Sequence, residues 1–248
     1  MTTKLFALLL AFLLVGCAPK EDTKPIQDSP APSVSASAPP SSDAPPTGVK
    51  RTVHYNNCRY SLLSSEQPSL PETLSLGEPL ETLPDGTVLY AHPDYHPEFR
   101  LIVQSGDQMQ LAELSGFLGE EKMSVSYWLK HSQVEQNAVS FSVLNHIGSE
   151  VLKEAQVSIL PNLLKSLAQA VPASLDSSRY EKIAAEQSAG RSYRLCFSFA
   201  DGTSSFLYFL PELELISLAN GYYRLPESFV SDYSSLFSDL PASPPPAY

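Results

Sequence analysis

Seven consecutive residues, His92-Pro93-Asp94-Tyr95-His96-Pro97-Glu98, hold two imidazoles and two carboxylates. These are the ligand types of zinc or a similar ion. Each histidine, however, precedes a proline, and a residue in that position is steered toward extended or turn backbone. No helical face therefore aims the two rings at one point. The segment also lies between two strand-like stretches, where prolines and short polar residues make turns. It reads as a plain surface turn, with no metal and no cofactor expected.

Other reactive patterns do not occur. The chain contains no GxSxG, SxxK, HExxH, P-loop or dinucleotide glycine fingerprint, and so lacks the residues of the commoner hydrolase and nucleotide-binding signatures. No catalytic residue is assigned. A glycosidase working through two carboxylates leaves no short signature, and that chemistry stays open. Tyr127-Trp128 has the ring types of a carbohydrate-stacking platform, and Tyr222-Tyr223 is a second aromatic pair. A lone tryptophan in a small domain belongs in the core, and the tyrosine pair is read the same way.

The first sixteen residues carry one positive charge, Lys4, followed by an unbroken apolar run from Leu5 to Val15. That run is shorter than the ~20 residues needed to cross a bilayer as a helix, and it has the layout of a secretion signal. It ends in Leu14-Val15-Gly16-Cys17, which resembles the lipobox of bacterial lipoproteins. The resemblance covers this segment alone. It implies cleavage between Gly16 and Cys17 and a diacylglyceryl thioether on Cys17, with acyl chains of the palmitate kind. Each buried methylene contributes about 0.8 kcal/mol and one chain holds a protein only marginally, so two or more chains make attachment lasting. The implied place is the extracytoplasmic face of the cell membrane, with the bilayer as partner through the lipid on Cys17.

Residues 17–50 follow as a tether. Between 18 and 50 stand eight prolines, interleaved with Ser, Ala and Asp and with few large apolar residues. Such a stretch cannot bury enough surface to offset its ordering entropy, so it is expected to stay extended and partly polyproline-II-like. At ~3.1 Å per residue it reaches roughly 100 Å, enough to hold a domain off the membrane. Residues 241–248 form a second proline-rich segment, read as a loose tail.

The rest of the chain is long enough for a real core, and its share of the 12 Tyr and 11 Phe argues against disorder. The net charge is -11, and loss of Lys4 with the signal makes it one unit more negative. An acidic surface repels nucleic acid and anionic headgroups, so no nucleic-acid partner is expected. With Cys17 lipidated, Cys58 and Cys196 remain; they are too few for a structural zinc site and are read as buried, unpaired thiols.

Strand signals dominate the folded part. Val53–Leu63 is rich in β-formers, and Pro84-Asp85-Gly86 turns the chain into Thr87–Tyr90. Phe99–Gln104 and Met109–Leu114 flank Ser105-Gly106-Asp107, a hairpin connection. Tyr193, Leu195, Phe197 and Phe199 alternate with Arg194, Cys196 and Ser198, the period of a half-buried strand. Asp201-Gly202 leads into Phe206–Phe209, and Asn220-Gly221 separates Leu213–Leu218 from Tyr222–Leu225.

Helical spacing links Leu160, Leu163, Leu164, Leu167 and Val171, with residues 149–156 leading in. Residues 227–237 read as a closing helix after Pro226, and 123–130 is ambiguous between helix and strand. The sum is α+β, with antiparallel meanders and a few covering helices. It divides into a first strand-rich half, 51–148, and a second, 149–240, of a helix plus another meander.

The two Asp-Gly-Thr turns, at 85–87 and 201–203, open similar patterns of strand, proline break, strand, glycine turn and strand. That makes a pair of similar halves with a ligand site between them one architecture the residues allow. Three functions remain open: an envelope binding or accessory module for a cell-wall or protein ligand, a carboxylate hydrolase of envelope glycan or peptide, and a structural subunit of an envelope complex.

Overall fold

The computed structural model describes residues 52–63, 70, 76–119, 121–219 and 221–243. The signal segment, the Cys17 lipobox and the tether lie outside these residues. So do Asn220 of the last turn and residues 244–248 of the tail.

β1 (Thr52–Tyr55) and β2 (Cys58–Leu62) form a hairpin. Asn56 and Asn57 take φ of 47° and 63°, the left-handed pair that a two-residue hairpin turn requires and that Asn tolerates. The β-rich run 53–63 is thus two strands, not one. β3 (Pro79–Thr82) and β4 (Val88–Ala91) close over the 84–86 turn, where Asp85 Oδ1 accepts the Thr87 N–H at 3.0 Å and Gly86 supplies φ of 82°. β5 (Arg100–Ser105) and β6 (Gln108–Phe117) follow. All pairs are antiparallel, in the order β1-β2-β6-β5-β4-β3.

The ambiguous segment is helical: α1 (Val125–Ser132) starts where Ser124 Oγ accepts the Tyr127 N–H, and ends at Gln133 in the left-handed region. After the single turn α2 (Val134–Asn137) the second sheet begins with β7 (Ala138–Asn145). β8 (Val151–Ala155) is its hairpin partner rather than a lead-in to a helix, and Asn145 Oδ1 holds the turn by accepting the Gly148 and Ser149 amides at 2.9 Å. This hairpin straddles residue 148, so the second sheet starts before a division at 148/149.

α3 (Leu160–Leu167) buries Leu160, Leu163, Leu164 and Leu167, each contributing about 1.5–3 kcal/mol of transfer free energy. It stops short of Val171, which lies exposed in the two-residue β9 (Val171–Pro172). Pro172 keeps Val171 itself out of helical backbone, since the residue before a proline is steered to extended geometry. α4 (Ser177–Ser188) is unforeseen. Asp176 caps it by accepting the Arg179 N–H, and only Ile183 is buried, so the apolar period that announces a helix is missing.

β10 (Tyr193–Phe199) occupies the stretch the alternation marks, and β11 (Ser204–Leu210), β12 (Leu215–Leu218) and β13 (Gly221–Arg224) complete the order β8-β7-β10-β11-β12-β13-β9. The last hairpin pairs Leu218 with Gly221, so Gly221 already belongs to the strand. The closing helix is two short pieces, α5 (Phe229–Asp232) and α6 (Ser234–Phe237), broken at Tyr233.

The fold is therefore α+β, with two antiparallel sheets and a few helices. One core runs between them: Leu89, Leu101 and Val103 of the first sheet share it with Leu195, Phe197, Phe199, Leu207 and Phe209 of the second, and with α1, α3, α5 and α6. Within the two stretches that open on Asp-Gly-Thr, β4-β5-β6 and β11-β12-β13 pair in the same consecutive antiparallel order. Their outer neighbours differ, β2 beside β6 and the short β9 beside β13. The tail is tied down at its start, with the Ser243 N–H donating to the Gly190 carbonyl and Tyr193 Oη donating to Leu240 and Pro241 carbonyls. Among the described residues no helix is long and apolar enough to cross a membrane.

Candidate functional site

The sheets meet over a buried cation. Arg100 opens β5, is 0 % exposed, and sits opposite Glu113 of β6 in the ladder. Its Nε and Nη2 donate to Glu113 Oε2 at 3.1 and 2.9 Å. Its Nη1 donates across to the second sheet, to Thr203 Oγ1 and to Asp201 Oδ2 at 3.3 Å. The 201–203 turn can face inward because Asp201 Oδ1 takes the Thr203 hydroxyl and N–H, at 2.6 and 2.9 Å, leaving Oδ2 for Arg100 and for the Tyr95 hydroxyl at 2.8 Å. Ser205 donates to Glu113 from the other side. Tyr95, Phe99 and Phe199 pack on the guanidinium at 4.6, 4.9 and 4.7 Å from their ring centres, a placement that stabilises a desolvated cation.

Beside this cluster a crevice of about 310 Å³ opens between the sheets. β11 pairs with β12 only over Tyr208–Leu210, so at Ser204–Phe206 the second sheet parts from β12 and faces Ser61 of β2 and Glu113 and Ser115 of β6. Trp128 and Met123 also line the crevice, with Phe206, Tyr208 and Ser217 from the second sheet. The two rings meet edge to face at 5.2 Å. Arg194 lies 4.4 Å over Phe206, and His146 stacks on Tyr208 at 5.0 Å. The aromatic side of the crevice thus continues onto the outer face of the second sheet.

The His92–Glu98 segment divides. His92 is buried, with its Nδ1 accepting the Asp94 N–H and its ring against Tyr95. His96 and Glu98 turn the other way and meet His131 of α1, and the ligating atoms of the three lie within 4.8 Å of one another. Residues 92–98 do form a turn, but His92 and Tyr95 are buried in it rather than on the surface. The fold adds a third side chain of a metal-ligating type from 33 residues beyond Glu98, a histidine on a helix that no local pattern links to this segment.

The aromatic pairs also separate. Trp128 is core, 2 % exposed and edge-on to Phe99, whereas Tyr127 packs on Phe117 and His131. Tyr223 is buried with its hydroxyl donating to the Met123 carbonyl, and Tyr222 stands half-buried beside Tyr180. Cys58 and Cys196 are free and buried, and burial raises both thiols above their ordinary range. His146 Nδ1 contacts Ser192 Oγ, but Ser192 is fully buried, so a substrate has no approach to that hydroxyl.

Proton linkage of the buried groups has a definite sign. Burial pushes Asp201 upward, but the Thr203 hydroxyl and amide, Tyr95 and Arg100 outweigh it and hold the carboxyl below its usual range. Burial lowers His92 against the opposing pull of Asp94 and Asp201, and lowers His146 with Arg194 adding to it. In all three the unfolded chain takes up a proton that the folded chain refuses. Their stabilisation is complete at neutral pH and declines as pH falls, first below ~6.5 for the histidines and then below ~4 for Asp201. The melting temperature of the full chain is expected to drop between pH 7 and 5, and His92→Gln with His146→Gln to flatten that slope. An unchanged slope in the double variant contradicts the assignment.

No family model, no curated protein and no solved structure matches this chain.

Proposed function

We propose that the chain is a lipid-anchored, extracytoplasmic binding module that holds a polar ligand of the cell envelope in the crevice between its two sheets. The observation that carries this reading is the crevice itself, lined by Ser61, Ser115, Ser204, Ser205 and Ser217 together with Phe206 and Tyr208. Hydroxyls and ring faces together suit a glycan or an extended peptide. Among the described residues Glu113 is the only carboxylate lining the crevice, and it is engaged by Arg100 and Ser205. A hydrolytic pair needs a second carboxylate and a free acid, so the lining favours binding over hydrolysis.

The anchor rests on Leu14-Val15-Gly16-Cys17, and the tether supplies the reach to a ligand beyond the membrane. Cys17→Ser is expected to abolish incorporation of labelled fatty acid and processing as a lipoprotein between Gly16 and Cys17. Label on the Cys17→Ser protein contradicts the anchor. For the crevice, the purified full chain is sedimented with isolated cell-wall sacculi. Phe206→Ala with Tyr208→Ala is expected to cut the bound fraction about tenfold, the loss of roughly 1.4 kcal/mol. Equal sedimentation of the double variant sinks the crevice reading.

A further inference from the structure

We propose that His96, Glu98 and His131 bind a divalent transition cation of the zinc class, at a site that uses none of the crevice residues. Two imidazoles and a carboxylate are a zinc-type set, softer than the all-oxygen sets preferred by magnesium and calcium. Their ligating atoms already lie within 4.8 Å of one another. A tetrahedral zinc with bonds of ~2.0–2.1 Å spaces its ligands about 3.3 Å apart, so the three atoms stand close to ligating separation.

Two of the three ligands are held in place before any ion arrives. His131 Nδ1 faces the Tyr127 carbonyl at 2.9 Å, and Nε2 faces Glu98 Oε2 at 2.9 Å. A cation bound between His131 Nε2 and Glu98 leaves the ring in its present orientation. Pairing of the distal ring nitrogen with a backbone carbonyl is the usual outer-shell arrangement of a metal-binding histidine.

The Tyr127 hydroxyl donates to Glu98 Oε2 at 2.7 Å and fixes the carboxylate. Tyr60 Oη donates to the Pro97 carbonyl at 3.0 Å and pins the loop between His96 and Glu98. The prolines that prevent residues 92–98 from forming a site alone therefore help to present two of them to α1. The side chains of His131 and Glu98 are 10 % and 30 % exposed, whereas His96 is exposed and closes the site. Its Nδ1 accepts the Glu98 N–H at a long 3.2 Å. Three protein ligands leave a fourth position for water or an incoming donor, the open arrangement of zinc sites.

The test is equilibrium dialysis of the chelator-stripped full chain against Zn²⁺, with bound metal counted by elemental analysis. One zinc per chain is expected. His96→Ala and Glu98→Gln each should weaken binding by about tenfold or more, at least the loss that an outer-shell change produces. His54→Ala, an exposed histidine outside the cluster, leaves binding unchanged. His96 and Glu98 are surface-accessible, so neither variant endangers the fold, and far-UV circular dichroism checks this. Tyr127→Phe, which keeps the ring and removes one hydrogen bond, is expected to weaken binding without changing stoichiometry. Failure of the wild-type chain to hold zinc, or equal retention by His96→Ala and Glu98→Gln, overturns the proposal and leaves the crevice reading untouched.

Discussion

Arg100→Met lowers the stability of the full chain by about 3 kcal/mol, the lower end of the range for removing one partner of a buried ion cluster. Methionine fills similar space, so packing loss is small and the cost is electrostatic. Glu113 and Asp201 are left facing apolar rings with no cation between them, and Ser205, Thr203 and Tyr95 supply only neutral donors. The lower end applies because the carboxylate side chains keep 18 % and 24 % of their exposure, so water reaches both. The measurement is urea unfolding followed by Trp128 fluorescence, since the chain has one tryptophan. Adding Glu113→Leu and Asp201→Asn to Arg100→Met should recover much of the loss, because an ion cluster replaced as a whole leaves no stranded charge. A loss under 1 kcal/mol in the single variant, or no recovery in the triple, shows that the cluster is not what holds the sheets together.

Trp128→Ala costs about 3–5 kcal/mol, the range for deleting a large aromatic from a core. The ring is 2 % exposed and packs edge-on to Phe99, just before β5 of the first sheet, and at 6.0 Å from Phe197 of the second. It bridges the sheets from the helix between them, so no single neighbour can collapse into its space. Trp128→Phe retains much of the contact and should cost less than half as much. With the fluorophore gone, both variants are followed by far-UV circular dichroism in urea. Trp128 also lines the crevice, so Trp128→Phe, still folded, should weaken attachment to sacculi as well. A cost of 1 kcal/mol or less for Trp128→Ala contradicts the bridging role.

Arg100 and His131 show where sequence reading stops. Arg100 stands alone among apolar residues in Phe99-Arg100-Leu101, and nothing nearby marks it as buried. Its partner Asp201 lies 101 residues away. The 201–203 turn is legible from Asp-Gly, but its grip on a cation of the other sheet is not.

Local chemistry is legible because it is enforced over a few bonds. The alternation of Tyr193 to Phe199 sets a strand with one apolar face, and the structure keeps the same residues. Asp-Gly turns lie where side-chain acceptors and positive φ place them, and the leucine spacing of α3 builds its buried face. The apolar run ending at Cys17 likewise contains all the information its lipobox reading uses. What the tertiary structure alone decides is which distant groups become neighbours. α4 escapes notice because a cap at Asp176 and one buried isoleucine suffice to seat it against the sheet. His96, Glu98 and His131 meet because the β4–β5 loop and α1 pack on one core, and packing free energy depends on the whole fold rather than on spacing along the chain.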